Sequence, residues 1–147
     1  TSLADRDVRY VTIYAFSTEN WGRPKWEING LFKVMRAVLR TEIPKLHEQN
    51  VRILHLGNLG RLPKSLSRSI ESAVELTSGN TGLTLSVCFD YGGRAEITEA
   101  VRDLMEKGIK AQDVTEEVIR KHLFLPEIPD PDLIIRTAGE QRQRQLL

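Results

Sequence analysis

The sequence predicts an α/β fold, a mostly parallel β-sheet with helices on both faces. Two observations predict it. Short β-branched and aromatic runs alternate along the chain with amphipathic segments of ten or more residues, the pattern left by right-handed crossovers between parallel strands. Glycine, proline and asparagine mark the boundaries between the two kinds of segment.

The elements follow in order. Residues 9–16, RYVTIYAF, carry few charges and read as a strand covered on both faces. Pro24 suits a first helical turn, and Ile28, Leu31, Phe32, Met35, Val38 and Leu39 then recur as one buried stripe. A bend is expected near Pro44, which removes a donor from the helical ladder, and Asn50 fits a left-handed terminator. A second strand, VRILHL, leads through Gly57 and Gly60 to a helix opened by Pro63, with Leu66, Ile70 and Ala73 on one side. The turn SGNTG precedes a third strand, LTLSVCF. Beyond DYGGR a helix presents Ile97, Val101 and Leu104, and Asp113 with Glu116 three residues on reads as a capping box for the next. Pro126, Pro129 and Pro131 force an extended approach to a fourth strand, DLIIR.

The 147 residues fit one domain, and 40% hydrophobic with 28% charged residues is the composition of a folded globular chain. A net charge of +1 offers no global attraction for nucleic acid. No apolar run approaches the roughly 18 residues that cross a bilayer, and TSLADRDVRY has no signal-peptide core, so a cytoplasmic setting is expected. The lone cysteine, Cys88, sits inside an apolar run and reads as a small buried hydrophobe, in keeping with a reducing compartment.

In open parallel sheets, ligands bind outside the carboxyl ends of the strands. The four segments expected there are STENWGR, GNLGR, DYGGR and TAGEQR, and each contains glycine and arginine. For any one of them a turn glycine and a surface ion pair suffice. Converging guanidinium groups would repel one another unless an anion lay between them, and a diphosphate suits the bidentate fork of arginine. This reasoning reaches an anion-binding α/β domain and names no reaction.

Three stretches carry more. YAFSTENWGRP, FDYGGRAEI and DPDLIIRTAGEQR, in that order, closely resemble the cis-prenyltransferase family, of undecaprenyl diphosphate synthase type, from about residue 8 to Arg142. The resemblance implies chain elongation, in which isopentenyl diphosphate condenses with an allylic diphosphate, farnesyl diphosphate-like, to give Z-polyprenyl diphosphate lipid carriers. It implies magnesium as cofactor, a homodimer at full length, and peripheral membrane contact through the lipid product. By position, Asn20 matches the asparagine that helps remove a proton from isopentenyl diphosphate. Ser17, Thr18, Glu19, Trp21 and Arg23 match substrate-contacting positions, and Arg136 and Arg142 match arginines holding the diphosphate. An amide is a weak base, so orientation or proton relay is the role expected of Asn20. Trp21 has a competing reading as a core cap, and Trp26 as packing on the sheet or a neighbouring subunit. Arg94 reads as structural, because Gly92 and Gly93 look built for a tight turn. His55 reads as a satisfied strand histidine, and His47 and His122 as helix-surface residues.

The sequence also departs from the family. Members begin with a strand and a Met-Asp-Gly-Asn-like phosphate loop whose aspartate binds magnesium, and no residue of TSLADRD takes that part. After Arg142 the family continues Ser-Asn-Phe-Leu-Leu-Trp-like towards a metal-binding glutamate. Here Arg144 stands in place of the diphosphate-contacting serine and is grouped with the substrate-binding residues. The expectation is a single partial domain over residues 1–147, without the magnesium carboxylates and inactive alone. Two alternatives are a non-catalytic prenyltransferase-like subunit that binds diphosphate or supports a partner, and an unrelated phosphate-binding module.

Overall fold

The computed structural model describes residues 6–136. It divides into two compact units, residues 1–91 and 92–147.

The first unit holds a parallel sheet of three strands, β1 (Tyr10–Ser17), β2 (Arg52–Leu56) and β3 (Thr84–Tyr91), in the order β1-β3-β2. Its helices are α1 (Lys25–Thr41), α2 (Ile43–Glu48) and α3 (Lys64–Thr77). Parallel pairing requires each return to cross over through helix, and these three helices supply it. Ile28 and Phe32 of α1 join Leu66 and Ile70 of α3, Leu62, and the strand residues Phe16 and Phe89 in one core cluster. A second cluster gathers Ile43, Val51, Ile53 and Ala73. Thr77, fully buried at the end of α3, donates to the Ala73 carbonyl and accepts the Ile53 amide hydrogen at 3.0 Å, tying that helix to β2.

Several expectations hold in detail. Pro44 falls in the first turn of α2, so the helix breaks there, and Asn50 takes the left-handed conformation at φ 59°. Others change. β1 is open rather than covered on both faces: it pairs with β3 alone among the described residues, and Tyr10 and Ile13 are 45% and 44% exposed. Trp26 does not pack on the sheet; it is 74% exposed on the first turn of α1.

The second unit contains α4 (Gly93–Glu106) and α5 (Glu116–Lys121). The buried stripe of α4 runs through Glu96, Ala100 and Leu104, with Ile97 and Val101 outside it. Its phase is set by Glu96, whose carboxylate accepts the Phe124 amide hydrogen at 2.9 Å. The cap of α5 is Thr115, which accepts from Val118, and not Asp113, which closes a separate 3-10 turn. No strand forms over DLIIR among the described residues. Leu133 and Ile135 are 75% and 79% exposed, and an apolar run needs a paired neighbour as well as β-branched residues to become a strand.

Candidate functional site

At the carboxyl end of β1 the chain passes into a 3-10 turn, Thr18–Gly22, with Ser17 as its cap. Asn20 Oδ1 accepts the Ser17 amide hydrogen at 2.7 Å, and the Arg23 amide hydrogen returns to the Asn20 carbonyl at 3.0 Å. With its oxygen bound inward, the Asn20 side chain has its two Nδ2 hydrogens to offer a ligand. Arg23 lies beyond the turn, about half-exposed, at 3.5 Å from Glu27, a spacing worth little in water.

The central strand meets this turn through a bulge. Phe16 pairs with Phe89 and Ser17 with Tyr91, so Asp90 has no opposite number in β1. Its φ of 56° is left-handed, an uncommon conformation outside glycine. The end of β2 closes over the same bulge. Asn58 donates its amide hydrogen to the Asp90 carbonyl at 3.1 Å, and a Cβ on Gly57, at φ 133°, would lie 2.2 Å from the Phe89 carbonyl oxygen. Only glycine fits there.

The Asp90 side chain is fully buried. Its Oδ1 accepts the Trp21 indole hydrogen at 2.6 Å. Its Oδ2 has no hydrogen bond, and the half-exposed Arg61 stands beside it with Nε at 3.5 Å, an ion-pair distance. The Arg61 guanidinium also lies over the Trp21 ring, 5.1 Å from its centroid. Trp21 meets Phe16 and Phe32 edge-on at 5.4 and 5.9 Å, which fixes the indole on its apolar side. Next to this cluster, His55 Nε2 lies 2.9 Å from the Phe89 carbonyl oxygen and so carries its hydrogen. Burial pushes the His55 pKa down, against smaller opposing effects of that hydrogen bond and of Asp90.

The structure therefore brings Ser17, Thr18, Glu19, Asn20, Trp21 and Arg23 together at one strand end. Ser17 is buried, while Glu19 and Arg23 face solvent. Trp21 has its one polar hydrogen committed to Asp90, so it has only apolar surface left for a ligand. Arg136 is exposed in the second unit, and Arg142 and Arg144 lie outside the described residues, as does the loop TAGEQR. Arg94 is an exposed residue of α4, and the left-handed conformation in its segment belongs to Asp90 rather than to Gly92 or Gly93. Arg61, expected with the other strand-end arginines to meet an anion, stands instead beside the Asp90 carboxylate, and the sequence did not mark Asp90 as a site residue. An acid at the carboxyl end of an apolar strand was the available signal.

The whole chain, residues 1–147, matches the family model described as "Putative undecaprenyl diphosphate synthase". The chain belongs to this prenyltransferase family. Two family relatives are isoprenyl transferases. That of Clostridium tetani is 45% identical over 139 residues, 92% of this chain and 54% of the relative. That of Neisseria gonorrhoeae is 44% identical over 135 residues, again 92% and 54%. This prenyltransferase chain thus spans about half the length of those relatives. The fold matches a probable undecaprenyl diphosphate synthase from Campylobacter jejuni at TM-score 0.88 and 31% identity, covering 97% of this chain and 66% of that one. It also matches lavandulyl diphosphate synthase from Lavandula x intermedia, in complex with dimethylallyl diphosphate, at TM-score 0.91 and 33% identity, covering 97% and 64%.

Magnesium, implied for the prenyltransferase family, does not fit the described residues. They contain no group of three or more His, Cys, Asp and Glu placed to hold a metal. Of the carboxylates at the strand ends, Asp90 already has an indole hydrogen on one oxygen and a guanidinium beside the other, and Glu19 is exposed in the turn after β1. No helix among the described residues is long and apolar enough to cross a membrane.

Proposed function

We propose that this chain carries the isopentenyl diphosphate side of cis-prenyl chain elongation. In that reaction a carbon–carbon bond forms between the allylic unit and the isopentenyl unit, diphosphate leaves the allylic carbon, and a proton leaves the isopentenyl unit. One observation carries the reading: Asn20 is locked to Ser17 through its oxygen, which leaves its amide hydrogens as donors in the strand-end turn that leads to Arg23. Family membership and the likeness to a synthase solved with an allylic diphosphate support it.

The residues divide the work. Arg23 grips diphosphate oxygens through paired hydrogen bonds; the family resemblance assigns the same chemistry to Arg136, Arg142 and Arg144. Thr18 and the Asn20 Nδ2 hydrogens complete the cradle, while Trp21 walls the isoprenoid. Asn20 orients the diphosphate to receive the departing proton instead of taking the proton itself, because its own oxygen is engaged. The allylic diphosphate, a second copy of the chain and contact with a membrane through the product belong to the same reading.

A second reading, a diphosphate-binding subunit without catalysis, is favoured by Asp90, whose carboxylate is already taken up by the Trp21 indole hydrogen and the Arg61 guanidinium. Calorimetry with isopentenyl diphosphate and with isopentenol tests the binding that both share. The reading predicts that the diphosphate binds saturably and the alcohol does not. Equal binding of the two, or none by the folded chain, would count against it. Product formation with an allylic diphosphate and magnesium, by a chimera in which this chain replaces the matching 54% of the Clostridium tetani relative, then separates the two readings, since only the first predicts product.

A further inference from the structure

Asp90 combines features that a residue used only for folding does not require together. It sits in a left-handed bulge of the central strand, its carboxylate is fully buried, and one oxygen has no hydrogen bond. Buried carboxylates are costly to keep unless they hold something in place, and bulges of this kind recur where a side chain must be aimed. Here the aimed group meets two strand-end segments at once, Trp21 after β1 and Arg61 after β2. Gly57 lets the β2 segment approach closely enough, since a Cβ there would strike the Phe89 and Asp90 carbonyl oxygens at 2.2 and 2.7 Å.

We propose that Asp90 is a positioning residue: through the Trp21 indole it fixes the turn that carries Asn20 and Arg23, and through Arg61 it fixes the neighbouring β2 end against the same turn. The proposal rests on the reading that this turn holds isopentenyl diphosphate. Trp21 directly follows Asn20 and lies two residues before Arg23, so freedom at the indole becomes freedom of both ligand-facing groups. Asp90 touches no substrate.

The test uses the full chain and two independent signals. Proton–nitrogen spectra report the Trp21 indole hydrogen and the Asn20 side-chain amide, with exposed Trp26 as internal reference. Calorimetry reports isopentenyl diphosphate affinity. Asp90→Asn keeps an acceptor for the indole and should hold both signals in place, with affinity within about threefold of the parent. Asp90→Leu removes the acceptor and should shift both signals and weaken binding about tenfold, the equivalent of one lost hydrogen bond. If Asp90→Leu does not fold, Trp21→Phe removes the same bond from the other side and should displace the Asn20 amide signal. An unmoved Asn20 signal in a folded variant overturns the positioning role whatever the ligand does. If the parent chain binds no isopentenyl diphosphate while the Asn20 signal shifts as expected, the proposed ligand fails and the positioning role stands.

Discussion

The side-chain oxygen of Asn20 accepts the amide hydrogen of Ser17 at 2.7 Å, so one residue closes the turn with its oxygen and keeps its nitrogen as a donor for another partner. The two halves can be separated. Asn20→Asp retains the acceptor and should change stability by under about 1 kcal/mol, yet its new charge should repel a diphosphate and sharply reduce affinity. Asn20→Ala should lose both, with a stability loss of about 1 kcal/mol. Urea unfolding and calorimetry measure the pair. Undiminished binding by the aspartate variant would remove the donor role of the amide.

Gly57 should tolerate no side chain. Its φ of 133° and the 2.2 Å approach of a Cβ to the Phe89 carbonyl oxygen mean that Gly57→Ala must shift backbone, at a cost of roughly 1–3 kcal/mol or more. Gly22, where a Cβ meets nothing within 4 Å, serves as control. An equal effect of alanine at the two positions in denaturant unfolding would refute the close approach.

Stability should decline on mild acidification partly through His55. Burial lowers its folded pKa below the ordinary 6.5, so below that pH the unfolded chain takes up a proton first. The contribution of His55 is therefore complete above pH 6.5 and is lost as pH falls towards the folded value. His55→Gln should flatten this part of the stability profile. An unchanged slope between the two proteins would contradict the burial of an uncharged imidazole.

Prenyl transfer by the 147-residue chain alone should be undetectable with farnesyl diphosphate, isopentenyl diphosphate and magnesium, although isopentenyl diphosphate binds. Two diphosphates repel strongly at close range, and the described residues contain no carboxylate set to hold a bridging cation. Robust radiolabelled polyprenyl product would defeat this expectation.

Much of the architecture was legible because its signals are local. Pro44 and Asn50 act on their own backbone, and the stripe Ile28, Leu31, Phe32, Met35 and Leu39 needs only helical periodicity to be seen, although Val38, expected in it, is exposed. What escaped depends on partners distant in sequence. The exposure of Ile13 follows from the place of β1 in the sheet, and the phase of α4 from the reach of Glu96 to Phe124. At the candidate site, the turn Ser17–Arg23 could be read from its wording, whereas Asp90 could not. Its role comes from a bulge and from contacts with Trp21 and Arg61, 69 positions away in the case of Trp21.

The most direct test of the central claim is a titration of isotopically labelled chain with isopentenyl diphosphate, followed through backbone amides and through asparagine and arginine side chains. Shifts concentrated on Ser17–Arg23, with the Asn20 amide and Arg23 guanidinium saturating together, are the predicted result. A folded chain whose Asn20 and Arg23 signals stay fixed at saturating ligand would contradict the account.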